Sequence, residues 1–294
     1  MSGPIATVPG PSRVTVFVPY WGERRRVVEA VRSILRQGRL VGTVVIVSDG
    51  DAAIPSDRLR RLDPHRVVTF VLPENRGHFF VREVAWRAAL DDWVAFVDAD
   101  DRVRPRWLER LAEAATTGGG VAFGATRLVR SYGPIDRAFK TRPVDTARAG
   151  SADPRHFATH NGLYRRDRID AVGGFDPSFR IAYDTVFVNL IALSGPFGAV
   201  EEPLYVYRKS DAFAARKPLT GGRSTGFRSS ERERATARAL AIYREARPAF
   251  ATDAAHARAV VLAGRDPLLA AEVEERSNEL REALRELRGS KESC

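Results

Sequence analysis

The chain has 294 residues, 44% hydrophobic and 29% charged, a composition that buries a core and excludes a disordered chain; the length suits one large α/β domain with a tail or small lobe. No run of about 18 apolar residues occurs, which excludes a membrane-spanning helix, and the single cysteine, Cys294, excludes an intrachain disulfide or a zinc–thiolate site. The net charge is +10, nearly all of it arginine, with 11 basic against 4 acidic residues between Tyr207 and Pro248, a segment suited to a diphosphate, an anionic membrane surface or another polyanion. The opening MSGPIATVPGPSR lacks the basic and apolar stretches of a secretion signal. A reducing, cytoplasmic setting is therefore expected, with peripheral contact to a membrane left open.

In chain order, residues 1–12 carry three prolines and two glycines and predict a disordered lead-in. Val14–Val18 reads as a buried strand ending at Pro19. A helix is predicted over Glu23–Gln37 from the spacing of Val27, Val28, Val31, Ile34 and Leu35, with Gly38 as its stop. Strands follow at 42–47, delivering Ser48-Asp49-Gly50, and at 67–71. A helix over 79–90 precedes a strand over Trp93–Val97 that runs into Asp98-Ala99-Asp100-Asp101, and a helix from Arg106 to Ala115 follows Pro105. This alternation predicts a doubly wound, mostly parallel sheet. Ligands bind such sheets at the carboxyl ends of the strands, where Pro19, Asp49 and Asp98–Asp101 all fall.

Beyond Gly118-Gly119-Gly120 the pattern is mixed. A strand is expected at 121–130, a loop rich in proline and arginine to about 155, strand then helix over 161–170, a helix over 183–193 and a strand over 204–207. Residues 211–228 have no clear period and read as a mobile basic loop. Residues 229–294 read as a helical extension, with a helix over 230–246. From about Asp266, Leu269, Val273, Leu280, Leu284 and Leu287 form a narrow apolar stripe, suited to docking on the body or to pairing with a second copy as a homodimer.

The acidic turn Asp98–Asp101 carries the chemistry. A divalent cation held by carboxylates and phosphates stabilises a departing diphosphate, and Mg²⁺ or Mn²⁺ uses one or two carboxylates for that purpose. Asp100 is the expected metal ligand and Asp98 a contact to a ribose or to the metal shell. The bland alternative is a solvated turn in which Asp101 caps the next helix.

These motifs, in order, resemble the family 2 glycosyltransferases over roughly Val14–Arg208: Pro19-Tyr20, Val47-Ser48-Asp49-Gly50, Glu74-Asn75-Arg76-Gly77, Phe96–Asp101 with Pro105 and Leu108, Gly173-Gly174-Phe175-Asp176, Asp184, and Tyr205-Val206-Tyr207-Arg208. The resemblance implies a Rossmann-like sheet of the A-type glycosyltransferase fold over 13–210, with a nucleotide-binding half to about 120 and an acceptor half after it. It implies a nucleotide-sugar donor, with UDP favoured, and an acceptor that is a small molecule or glycan, with no nucleic-acid partner. Pro19 and Tyr20 would line the base and ribose pocket, Asp49 would read the base, and Arg76 would reach the ribose or diphosphate. Asp184 would be the catalytic base of an inverting transfer, taking the proton of the acceptor hydroxyl. His156 and His160 are candidates for an acceptor or metal contact, and His78 for a place near the pyrophosphate. Two departures stand out: Tyr183 where the family often has Glu, which suggests an unusual acceptor pocket, and Arg82-Glu83 where it often has Arg-Asn. A retaining enzyme of the same fold would not need Asp184 as base. A sugar nucleotidyltransferase fits poorly, because the turn Pro19–Glu23 has one glycine. A basic nucleic-acid or membrane-surface protein leaves the ordered carboxylates unexplained.

Overall fold

The structure, a computed structural model, describes residues 7–22, 24–130, 136–139, 161–209, 229–250 and 252–292. Its first half alternates β1 (Val14–Tyr20), α1 (Arg26–Leu35), β2 (Val41–Ser48), α2 (Ser56–Arg60), β3 (Val67–Val71), α3 (His78–Ala88) and β4 (Trp93–Phe96). Then come β5 (Arg102–Val103), α4 (Trp107–Thr117), β6 (Val121–Arg130), β7 (Asp136–Phe139), β8 (Gly162–Arg165), α5 (Arg166–Ala171), α6 (Tyr183–Leu193) and β9 (Gly198–Lys209). The C-terminal helices are α7 (Ser229–Phe250), α8 (Ala254–Leu262) and α9 (Pro267–Glu292).

All nine strands join one sheet in the order β3-β2-β1-β4-β8-β6-β9-β5, with β7 paired to β6. The first four are mutually parallel, whereas β8 runs antiparallel to both β4 and β6. β1 and β2 are valine-rich and buried almost end to end, as parallel strands covered on both faces are. Alternate residues of β1 serve different layers. Val16 and Val18 pack with Val27, Val31, Leu59 and Trp107 of α1, α2 and α4. Phe17 packs with the layer containing α3, α6, α7 and α9.

Nine of the eleven residues of α3 are buried, Arg82 and Glu83 among them, because the sheet lies on one side and α9 on the other. The apolar stripe of α9 is used within the chain: Val273, Leu280 and Leu284 are buried in the core shared with Val81, Val84 and Ala85 of α3. Ser277 donates to the Val84 carbonyl at 3.3 Å, and Arg281 to that of Arg87 at 2.8 Å. Burying three aliphatic side chains stabilises this docking by roughly 5–8 kcal/mol, several times the value of a surface ion pair. The stripe is thus covered in cis, which removes the sequence reason for expecting a homodimer through this helix.

Local differences from the sequence reading have local causes. Gly38, at φ 77°, opens a short 3-10 turn over Gly38–Leu40, and α1 begins at Arg26 rather than at Glu23. Arg106 takes the left-handed region (φ 68°) just before α4 instead of starting it. β9 reaches back to Gly198, where a Cβ would stand 2.1 Å from the carbonyl oxygen of Ala114; only glycine lets this strand approach α4 so closely.

Candidate active site

The strand order reverses at β1. The chain moves from β1 to β2 and β3 on one side, and α3 then carries it across to β4 on the other. A crevice opens at the carboxyl ends of strands at such a reversal. The end of β1 brings Pro19-Tyr20-Trp21 to it, and the end of β4 brings the turn Asp98–Asp101.

That turn is held from beneath. Asp101 is fully buried; the Tyr205 hydroxyl donates to its Oδ2 at 2.8 Å and accepts from the Asp98 amide at 3.1 Å. The Arg208 amide donates to Asp101 Oδ1 at 2.7 Å. The Arg208 side chain donates to the carbonyls of Asp100 (2.5 Å) and Asp101 (3.2 Å) and to Glu29 of α1 (2.5 Å). Burial, reinforced by the charges of Asp100 and Asp98, pushes the Asp101 carboxyl well above the usual range. Asp101 therefore anchors the turn to β9 and does not cap α4. Tyr205→Phe removes the hydroxyl that bridges Asp101 and Asp98. It is expected to cost about 1–3 kcal/mol of stability in denaturant melts. Unchanged stability would deny the turn any dependence on this support.

Asp49 is buried, and its carboxylate accepts the Arg76 amide at 2.7 Å and the Gly77 amide at 2.9 Å. Burial raises its pKa, against the pull of those two amides. Gly50 (φ 76°) allows the turns to interlock, since a Cβ there would lie 2.5 Å from the Asn75 nitrogen. The structure thus brings Ser48–Gly50 and Glu74–Gly77 together as one unit. It does not present Arg76 to the crevice in the expected way: the guanidinium makes a two-pronged pair with Glu272 of α9, at 2.9 and 2.6 Å. Nor does Tyr20 line an open pocket, for its side chain is 1% exposed in the core, whereas its neighbour Trp21 is 51% exposed.

Asp184 stands in the first turn of α6, just after Ala182 (φ 70°), and its side chain is 49% exposed. His78, at the start of α3, puts Nε2 at 3.6 Å from Asp184 Oδ1. Tyr183 is fully buried against Phe79 and Phe179; it is a core residue and shapes no acceptor pocket of its own. The second departure is answered as well. Arg82 donates to Asp98 Oδ1 at 2.6 Å. Glu83 accepts from the Phe175 amide (2.7 Å), Trp86 Nε1 (2.5 Å) and Arg87 Nε (2.8 Å). Gly174 (φ 72°) makes room for that carboxylate, since a Cβ there would meet Glu83 Oε2 at 2.5 Å. Sequence reasoning missed both roles, although two adjacent charges inside an apolar helix were the available signal. His156 and His160 lie outside the described residues.

Tyr207, on β9, reports how the carboxylates converge. Partial burial pushes its hydroxyl up to about 12, aided by the negative charges of Asp101, Asp98, Asp100 and Asp184. Asp98–Asp101 and Asp184 come from separate stretches and act on this one group. Among the described residues no cluster of three or more His, Cys, Asp or Glu could hold a metal ion. A Mg²⁺ or Mn²⁺ site made of one or two carboxylates and substrate phosphates does not require one. The partly exposed Asp98 and Asp100, in a crevice with excess negative charge, fit that donor set.

The family model described as "Glycosyl transferase family 2" matches residues 15–178, more than half of the chain. The chain belongs to glycosyl transferase family 2. Among curated relatives, this family 2 member is 33% identical over 106 residues to the succinoglycan biosynthesis protein ExoO of Rhizobium meliloti, covering 36% of the chain and 30% of ExoO. It is 26% identical over 208 residues to an uncharacterised glycosyltransferase of Nostoc sp., covering 67% and 64%. The chain thus spans less than two thirds of these relatives' length. Two solved structures share its fold. Staphylococcus aureus TarS with UDP-GlcNAc has a TM-score of 0.59 at 16% identity, covering 85% of this chain and 71% of that one. A Pyrobaculum calidifontis mannosyltransferase with GDP-Man and Mn²⁺ has a TM-score of 0.51 at 21% identity, covering 93% and 82%. The family 2 domain here has the A-type glycosyltransferase fold, its sheet parallel in the first half and mixed in the second.

Proposed function

We propose that the protein transfers a sugar from a nucleotide diphosphate donor to an acceptor hydroxyl with inversion. The observation that carries this reading is the acidic turn Asp98–Asp101, hung from Tyr205 and Arg208 at the carboxyl end of β4 beside the reversal of strand order at β1. The interlocked turns at Asp49 and Asn75 seat the base. A carboxylate has about four acceptor positions, so Asp49 can take the N3–H of uracil beside its bonds to Arg76 and Gly77, which favours a UDP-sugar. Asp100, with Asp98 oriented by Arg82, would hold Mn²⁺ or Mg²⁺ against the diphosphate. When bound, that cation neutralises the charge developing on the departing diphosphate.

Asp184 takes the proton from the acceptor hydroxyl as that oxygen attacks the anomeric carbon on the face opposite the diphosphate. Its seat at the start of α6 keeps the carboxylate partly exposed, within reach of an acceptor entering from solvent. His78 positions it from α3. The stereochemistry is tested without knowing the acceptor. With UDP-sugar and Mn²⁺ alone, slow donor hydrolysis releases free sugar, whose first-formed anomer is read by time-resolved proton NMR. The expected anomer is opposite to that of the donor. An initially retained anomer would remove both the inversion and the base role of Asp184.

A further inference from the structure

The face of the sheet covered by α1 and α2 carries a charge pattern that the transfer reaction does not use. Nine exposed arginines lie on or beside these helices, the ion-paired Arg60 left aside. They include Arg32, Arg36 and Arg39 on and after α1, Arg58 on α2, and Arg102 and Arg104 on the segment around β5. β5 is bound to α1 through the Val103 amide and Ser33 Oγ (3.0 Å), and through Gln37 Nε2 and the Arg104 carbonyl (2.9 Å). None of the nine makes an ion pair among the described residues. The exposed acids of the two helices are already engaged, Glu29 by Arg208 and Asp57 by Arg60. The opposite face is different: α9 carries seven acidic against five basic residues. With α7 of the same layer carrying five basic against three acidic residues, those two helices balance, so among the described residues the basic excess lies on the α1–α2 face. Trp21, which follows β1 and precedes α1, is half exposed, and tryptophan is the side chain that settles at a membrane–water interface.

We infer that the α1–α2 face docks on an anionic lipid bilayer. Three features favour a bilayer over a nucleic acid. The arginines are spread over α1, α2 and the segments beside them. The patch has no exposed aromatic platform at its centre on which bases would stack. The charge asymmetry fixes one orientation toward a planar charged surface, where each arginine contributes separately.

The test is sedimentation of the full chain with vesicles of phosphatidylcholine alone and of phosphatidylcholine containing about 30% phosphatidylglycerol, the lipid that supplies the negative surface potential. Binding to the anionic vesicles alone is expected, weakening steeply as salt screens it. Arg32→Glu with Arg36→Glu and Arg39→Glu should lower partitioning at least about 100-fold, with an unchanged thermal melt. If that variant melts early, Arg58→Glu with Arg102→Glu and Arg104→Glu serves the same purpose. An equal charge reversal on α7, Arg234→Glu with Arg244→Glu and Arg247→Glu, should retain far more binding. Equal affinity for both vesicle types would overturn the inference. So would an equal loss in the α7 variant, or tighter binding to duplex RNA than to the anionic vesicles in the same buffer.

Discussion

Asp100→Ala is expected to abolish the metal-dependent part of nucleotide binding. In calorimetric titrations with UDP, the gain in affinity on adding Mn²⁺ should fall at least about 100-fold, since residues that merely support metal ligands are already worth 10- to 100-fold. The substitution is structurally mild, because Asp101, Tyr205 and Arg208 hold the turn to β9. Retained folding with lost Mn²⁺ enhancement would thus speak to the ligand role alone. If the variant bound UDP with Mn²⁺ as tightly as the unchanged protein, Asp100 would have no place in a metal site. The proposed mechanism would then lose its means of stabilising the leaving group.

The second large effect is on turnover. Asp184→Asn keeps shape and a hydrogen-bonding group but cannot accept the hydroxyl proton, so kcat should drop about 10²- to 10⁴-fold, the range for removal of a general base. Donor affinity should stay within about twofold, because the base acts only in the transition state. Half exposed on the first turn of α6, Asp184 tolerates the change without unfolding. Near-normal turnover with intact binding would rule out the base role and favour a retaining reaction. A matching fall in donor affinity would instead place Asp184 among the binding groups.

Much of the candidate site was legible before any coordinates. Pro19, Asp49 and Asp98–Asp101 follow apolar runs too short and too β-branched to be helices. A parallel sheet delivers the ends of such strands to one edge, so local pattern sufficed to group them. The acidic turn was also readable as a unit, because its four residues are contiguous. Orientation was less accessible. Tyr20 and Trp21 are adjacent in sequence, yet successive side chains of a strand leave opposite faces; which one meets solvent depended on what covers each face.

What the chain alone determined is the contiguous part: the alternation of strands and helices, the strand ends that bear carboxylates, and the apolar stripe from Leu269 to Leu287. Tertiary structure decided the pairings between distant segments, which no local pattern encodes. Arg76 meets Glu272 nearly two hundred residues away, Asp101 hangs from Tyr205, Glu83 holds the turn at Gly174, and the α9 stripe lands on α3. The physical reason is the same in each case. A charged or apolar side chain states in sequence only that it needs a partner, and the partner is settled by which elements the packed sheet brings within about 3 Å for a hydrogen bond or about 4 Å for an apolar contact.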